Sequence, residues 1–157
     1  IKTLHDKTQH DNPQYSGSYS RAAKTIKSYL KKYPDIKIVL DIHRDAVERN
    51  GAVINPVTRI NGTKYAQIMI ISGCDNGYMN MPYYTENLKF ATNLQNTIAK
   101  DWPGLVRPVL FDYRHYNQDM TTGSLLVEIG THGSTLGQAK NSRQAFAVSL
   151  AAMLDNI

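Results

Sequence analysis

Apolar positions along the chain change several times from helical spacing to strand-like spacing. Between residues 18 and 33, apolar side chains recur every three or four positions, which predicts a helix that ends before Pro34. Residues 84–100 show the same spacing. A third helix is predicted near the carboxyl end, where Thr135 and Gln138 form a capping box ahead of an apolar stripe. The pattern therefore predicts three amphipathic helices.

Short runs rich in β-branched residues predict the strands. Residues 36–42 (IKIVLDI) and 124–129 (SLLVEI) are mostly apolar, which is typical of strands buried on both faces of a parallel sheet. Weaker runs predict a strand end at residues 1–4 and a strand at residues 106–111. Because strands alternate with helices, the sequence predicts an α/β fold with an open, mostly parallel sheet flanked by helices on both faces.

A hairpin is predicted as an insertion in this fold. Asn61 and Gly62 separate two strand-like segments, residues 52–60 and 64–72. Asn-Gly is the strongest short-range signal for a two-residue hairpin turn. We therefore expect these two segments to pair with each other.

Composition narrows the class of protein. The 157 residues are 41% hydrophobic, which fits one domain over residues 1–157. The net charge of +5 favours an anionic partner, but the lysines are spread over helices and no base-stacking or groove-reading motif supports a nucleic-acid binder. No apolar run approaches the roughly 20 residues of a membrane span. The single cysteine, Cys74, leaves the redox compartment open.

Two ionisable residues lie at or near the ends of the two buried strand runs. His43 follows the first run and Glu128 interrupts the second. Ligands of open α/β sheets bind beyond the carboxyl ends of the strands, and a charge in an apolar run needs a partner or a metal. These two residues are therefore the first candidates for a site. A hydrogen-bonded histidine and a solvent-facing glutamate remain the alternatives.

The remaining candidates are weaker. The chain has no G-x-S-x-G elbow, no glycine-rich phosphate loop and no H-E-x-x-H pair. Cys74 has no evident histidine partner for a nucleophilic role. The amide groups of Asn117 and Gln118 suit recognition of a peptide backbone, although they also suit a turn. Four further histidines are candidate metal or substrate ligands: His5, His10, His115 and His132.

Three segments in series resemble the stage II sporulation protein P family. They are residues 40–46 (LDIHRDA), 116–121 (YNQDMT) and 125–130 (LLVEIG), and the loop and helix over residues 5–21 are also similar. The resemblance covers essentially the whole chain in the right order. It implies a zinc-dependent N-acetylmuramoyl-L-alanine amidase, related to the broader cell-wall amidases, that acts in engulfment during endospore formation.

The resemblance also implies roles for individual residues. It makes His43 a zinc ligand and Glu128 the catalytic carboxylate that takes a proton from the attacking water. We expect Arg44 and Asp45 to orient His43 or to contact substrate, since metal-binding histidines need such support. Asn117, Gln118 and Arg44 are the expected substrate-binding residues.

The resemblance leaves the zinc site incomplete. In the family the other principal ligands come from an earlier strand and helix, which the resemblance implies this chain lacks, so residues 1–157 are expected to be an N-terminally incomplete amidase domain. Catalytic zinc normally takes three protein ligands and a water. The alternative function is therefore a wall-binding or scaffold fragment without hydrolytic activity.

The expected partners follow from the same resemblance. Peptidoglycan is the expected substrate, with some endopeptidase action allowed besides amidase action, and the stage II sporulation protein D, which cleaves glycan strands, is the expected protein partner. The expected location is extracytoplasmic, in the septal wall space of the sporulating cell. Contact with the membrane is expected only through an upstream anchor that is absent from this chain.

Overall fold

The computed structural model describes residues 1–155 and contains three helices and eight strands. The helices are α1 (Ser18–Lys32), α2 (Tyr84–Asp101) and α3 (Leu136–Leu154). The strands are β1 (Ile38–Asp45), β2 (Glu48–Arg49), β3 (Ala52–Val53), β4 (Val57–Ile60), β5 (Thr63–Ala66), β6 (Ile68–Gly73), β7 (Leu110–Asp112) and β8 (Gly123–Thr131). Among the described residues, no helix combines the length and apolarity needed to cross a membrane.

The main sheet has four strands in the order β1-β8-β6-β7. β1 runs parallel to β8, and β6 runs parallel to β7. The pairing between β6 and β8 is antiparallel, so two of the three pairings are parallel. This confirms the predicted α/β class and the mostly parallel sheet.

The two faces of the sheet have different neighbours. On β8, Leu125 and Val127 belong to the hydrophobic core formed with β6, α2 and α3. Side chains alternate along a strand, so Leu126 and Glu128 lie on the opposite face. The first helix, α1, reaches that opposite face through Tyr19, whose ring stacks on His43. Helices therefore flank both faces, and the face next to α1 carries the candidate residues.

The end of β8 requires a glycine. Gly130 has φ +72°, and a Cβ at this position would lie 2.6 Å from Ser134 Oγ and 2.7 Å from Ala66 Cβ. The pairing between β1 and β8 shifts at this point, between His43 and Asp45. A larger residue at position 130 would therefore disturb the irregular pairing immediately beyond the candidate site.

The predicted hairpin is confirmed in its turn and wrong in its length. Asn61 and Gly62 have φ of 49° and 80°, and they join β4 to β5. Positive φ at both central residues is what a type I′ turn needs. Residues 68–73 join the main sheet instead, because Ile68 and Ile70 are fully buried there, whereas residues 52–53 pair with β2.

Of the two weaker strand predictions, one is wrong and the other is confirmed only at its end. Residues 1–4 form no regular structure and are exposed to solvent. In the segment 106–111 only the end belongs to a strand, while Val106 makes a single bridge to Ile68. Residues 1–4 pair with no strand among the described residues. Residues 106–111 lie beside β6, but Pro108 interrupts the pairing because proline has no backbone N–H to donate. The capping box of Thr135 and Gln138 at the start of α3 is confirmed.

Candidate active site

His43 and Glu128 face each other across two neighbouring strands. They are register partners in the parallel pairing of β1 with β8. Both side chains lie on the sheet face opposite α2 and α3, because their strand neighbours Leu125 and Val127 point into that core. The two candidate residues therefore lie on neighbouring strands of the main sheet. The two residues lie within the strands rather than just beyond them, since β1 continues to Asp45.

Glu128 is a buried carboxylate that lacks a full set of partners. Its residue is 8% exposed, and among the described residues its Oε2 atom has no hydrogen-bond partner. Burial, reinforced by the nearby negative charge of Asp45, raises the pKa of Glu128 to about 7, while His43 and Arg107 act in the opposite direction. A carboxylate with a near-neutral pKa can both accept and release a proton at physiological pH.

His43 is oriented by Asp41, which lies two residues earlier on the same strand. His43 Nε2 is 2.9 Å from Asp41 Oδ1. This hydrogen bond raises the pKa of His43, although partial burial opposes it. With Nε2 donating to Asp41, the Nδ1 atom carries the free lone pair. Sequence reasoning missed Asp41, but the two-residue period of a strand places it on the face of His43.

Arg44 and Asp45 make other contacts. One Arg44 guanidinium nitrogen donates to Thr131 O at 2.9 Å and to Ser134 O at 2.8 Å, which fixes the segment after β8 against β1. The Asp45 carboxylate pairs with Arg107 at 3.2 Å. The carboxylate that orients His43 is therefore Asp41 and not Asp45. Substrate contact by Arg44 stays a prediction.

Asn117 and Gln118 connect the loop before β8 to the rest of the site. Gln118 is 1% exposed; its Oε1 accepts from Gly73 N at 2.8 Å, and its Nε2 donates to Ile71 O at 3.1 Å. Asn117 Nδ2 donates to Tyr19 O in α1 at 2.9 Å. Both amides therefore bind the protein's own backbone. Substrate contact by either residue stays a prediction.

The buried position of Gln118 predicts a large effect on stability. We expect Gln118→Ala to lower the free energy of unfolding by about 2 to 4 kcal/mol, because the buried Gly73 N–H and Ile71 C=O both lose their partner. Urea denaturation measures this change. Gln144→Ala, at an exposed position on α3, is the control and is expected to change stability by less than about 0.5 kcal/mol. Unchanged stability in Gln118→Ala, with slower turnover, would instead make Gln118 a substrate ligand.

A cavity of about 450 Å³ lies next to the pair, between α1 and the loop before β8. Its lining residues are Tyr19, Ser20, Ala23, Lys24, Lys27, His115, Asn117, Asp119 and Met120. The Tyr19 ring centroid is 6.3 Å from that of His43 and 5.2 Å from that of Tyr116. Burial raises the pKa of the Tyr19 phenol, so this hydroxyl stays protonated at neutral pH. Tyr19 thus forms the wall between the cavity and His43.

The other candidate histidines bind separate partners. His10 Nε2 is 2.9 Å from Thr25 Oγ1, His115 Nε2 is 3.6 Å from Asp119 Oδ1, and His132 Nε2 is 3.6 Å from Glu48 Oε1. His5 lies in the exposed segment before α1. Burial raises the pKa of the Cys74 thiol, which opposes the thiolate that a nucleophilic cysteine needs.

The described residues supply only part of a zinc ligand set. His43 fits as one ligand, since its Nδ1 atom is free of the bond to Asp41. Over residues 1–155, however, no three His, Cys, Asp or Glu side chains come together as a metal site. Catalytic zinc takes three protein ligands, so the described residues do not complete the set.

Comparison with known proteins identifies relatives of this chain. It is 28% identical over 138 residues to the stage II sporulation protein P of Bacillus subtilis (strain 168), covering 85% of this chain and 32% of that protein. The chain therefore spans about a third of the length of this curated relative. The fold is similar to the crystal structure of the apo form of the N-acetylmuramyl-L-alanine amidase Ami1 from Mycobacterium abscessus. The TM-score is 0.52 at 17% identity, with 87% of this chain and 60% of that chain covered. The model of the family named Stage II sporulation protein P (SpoIIP) matches residues 1–151, and the chain belongs to that family.

Proposed function

We propose that this chain is the catalytic part of a peptidoglycan hydrolase that cleaves the amide between N-acetylmuramic acid and L-alanine of the stem peptide. The observation that carries the proposal is the buried Glu128 carboxylate, directly opposite His43 and with one oxygen unpartnered among residues 1–155. Membership of the stage II sporulation protein P family and the amidase-like fold support the choice of bond.

Glu128 supplies the proton transfers that amide hydrolysis needs. Water attacks the carbonyl carbon, and Glu128 takes one of its protons as the new C–O bond forms. The C–N bond then breaks, and the same carboxyl returns the proton to the leaving nitrogen of L-alanine. The pKa of Glu128, raised to about 7, suits a group that must act first as base and then as acid.

We propose zinc as the cofactor, with His43 as one of its ligands. The remaining ligands are proposed to come from residues other than those described here. When bound, zinc polarises the scissile carbonyl and lowers the pKa of its water from about 16 to about 7. Asp41 keeps the His43 ring oriented by accepting from its Nε2 atom.

Product analysis tests the proposed bond. Purified peptidoglycan is incubated with zinc and the full-length protein, with the 157-residue chain in a parallel reaction, and the soluble products are examined by mass spectrometry. We expect stem peptides with a new amino-terminal L-alanine and glycan with a free lactyl carboxylate. His43→Ala is expected to lower zinc content and product release together. Cleavage within the stem peptide alone would replace the amidase proposal with an endopeptidase. Sedimentation of the full-length protein with the wall, without products, would favour the wall-binding alternative.

Removing the Asp41 carboxylate is expected to change the titration of His43. Because the hydrogen bond that His43 donates to Asp41 raises the pKa of His43, Asp41→Asn lowers this pKa, and the ring loses its charge at a lower pH. Zinc affinity falls about 10- to 100-fold, as for other partners of metal-binding histidines. NMR titration of the His43 ring without metal and calorimetry with zinc measure the two effects. Asp35→Asn, an exposed carboxylate just before β1, is the charge-matched control. An unchanged His43 pKa would contradict this role for Asp41.

We further propose that the protein acts outside the cytoplasm, on the septal wall of the sporulating cell during engulfment. The stage II sporulation protein D is the proposed partner, and membrane attachment is proposed to rest on a segment outside this chain. Family membership supports these proposals. Co-purification of the full-length protein with stage II sporulation protein D from sporulating cells tests the partnership.

A further inference from the structure

An ion pair spans the central strand of the main sheet beside Glu128. Arg107 N donates to Ile68 O at 2.8 Å, which places the Arg107 backbone next to β6. Arg107 Nη2 lies 3.2 Å from Asp45 Oδ2 on β1. Because β8 lies between β6 and β1, this ion pair crosses β8. The opposite face of β8 packs into the hydrophobic core, so the pair crosses on the face that carries Glu128, and both charges act on that carboxyl.

The Arg107 guanidinium has hydrogen-bonding capacity left for a ligand. An arginine carries five N–H donors, and the bond to Asp45 uses only the Nη2 end of the guanidinium. Nη1 has no hydrogen-bond partner among residues 1–155, and it is open to solvent, whereas Nε is unpartnered and shut off from solvent. The side chain as a whole is 25% exposed. Asp45 therefore holds the guanidinium in place while Nη1 can be reached by a ligand.

The surroundings of Glu128 need a fixed positive charge for amide hydrolysis. Two further carboxylates, Asp41 and Asp45, act on the Glu128 carboxyl, and so do the cations His43 and Arg107. When water attacks an amide, the π electrons of the carbonyl move onto its oxygen, which becomes negative. Neighbouring carboxylates repel such an oxygen unless a cation lies beside it. A histidine must be uncharged to bind a metal, which leaves Arg107 as the permanent cation of these groups.

We propose that Arg107 binds the oxygen of the scissile carbonyl through Nη1, stabilises the negative charge that this oxygen gains, and then holds the lactyl carboxylate of the product. The proposal rests on the proposed function and adds a substrate-contacting residue to it. Asp45 is a positioning residue, because it fixes the guanidinium without touching substrate. When the C–N bond breaks, the C=O bond re-forms and nitrogen leaves with the proton from Glu128. The product acid then ionises, so a full negative charge remains beside Arg107.

A binding experiment that does not depend on catalysis tests this contact. The full-length protein is titrated by calorimetry, in the presence of a metal chelator, with N-acetylmuramic acid and with its uncharged lactyl amide. We expect the acid to bind about tenfold more tightly, because hydrogen bonds to a charged group are the stronger ones. Arg107→Gln is expected to reverse this order, since the remaining carboxylates repel the acid. Arg143→Gln, with the same charge change at an exposed position on α3, is the control and should keep the acid preference.

Rates on purified wall separate a substrate contact from a structural ion pair. In the full-length protein with zinc, Arg107→Gln is expected to lower kcat about 10²- to 10³-fold and to change KM much less. Arg107→Lys should recover part of the rate, because it keeps the charge but not the planar guanidinium. The double variant Asp45→Asn/Arg107→Gln replaces the ion pair with two neutral amides, and it should stay as slow as Arg107→Gln.

Each result decides for or against the contact. Equal binding of acid and amide by the parent protein would overturn the proposal. A double variant that regains the parent rate would also overturn it, because Arg107 would then only neutralise Asp45. An acid preference in a full-length protein that releases no product would retain the contact and reject the proposed hydrolysis. Product release at the parent rate in Arg107→Gln would retain the hydrolysis and reject the contact.

Discussion

Replacing Glu128 with glutamine is expected to lower the rate of stem-peptide release about 10²- to 10⁴-fold while bound zinc is retained. Glutamine keeps the shape of the side chain but cannot take a proton from water. The variants are made in the full-length protein, where release of peptides from purified wall gives the rate and elemental analysis gives the zinc content. Glu86→Gln, an exposed position in the first turn of α2, is the control and should keep full activity.

The comparison with His43→Ala separates a base from a ligand. A ligand variant loses zinc and activity together, whereas a base variant loses activity alone. Equal loss of zinc in Glu128→Gln and His43→Ala would show that Glu128 binds the metal. Full activity in Glu128→Gln would contradict the proposed mechanism at its central step.

The same substitution is expected to stabilise the protein at alkaline pH. The pKa of Glu128 rises from 4.5 to about 7 on folding, mainly through burial, so the folded state disfavours the charged form. Below pH 4.5 the Glu128 carboxyl is protonated in both the folded and the unfolded state, so it does not lower the free energy of unfolding. As the pH rises towards 7, the unfolded state ionises first and stability falls. Above pH 7 the loss reaches its full value of about 3 kcal/mol, by the conversion of 1.36 kcal/mol per pKa unit.

Urea denaturation at pH 4.5 and pH 8 measures this effect. We expect Glu128→Gln to match the parent chain at pH 4.5 and to exceed its free energy of unfolding by up to about 3 kcal/mol at pH 8. Other titrating groups are common to both proteins and cancel in the difference. A Glu128→Gln variant that is less stable than the parent at pH 8 would show that the ionised carboxylate has a favourable partner in the folded protein.

A carboxylate that lowers stability at neutral pH is typical of a functional residue. An apolar residue at position 128 would continue the buried run of β8 without that cost. Sequence reasoning detected Glu128 for this reason, because a charge inside SLLVEI conflicts with the rest of the strand. His43 was found in the same way, at the end of the other apolar run.

Residues whose role depends on tertiary contacts were harder to predict from the sequence. Gln118 suggested peptide recognition in the sequence, yet its amide holds the backbone of β6, 45 and 47 positions earlier in the chain. The support of His43 by Asp41 was assigned to Arg44 and Asp45, which follow His43 directly. Strand alternation instead places Asp41, two positions before His43, on the same face of the strand. Distant pairings such as β6 with β8 have no local signal in the sequence, because they depend on which apolar runs meet in the core.

The sheet order gives Glu128 a stiff support. β8 has β1 on one side and β6 on the other. A strand that is paired on both sides opens locally only at high free energy. We therefore expect the amide protons around Glu128 to be among the slowest in the sheet to exchange with solvent. A proton carrier must meet the substrate in one geometry, and the pairing of β8 on both sides gives Glu128 the stiffness that its proposed task requires.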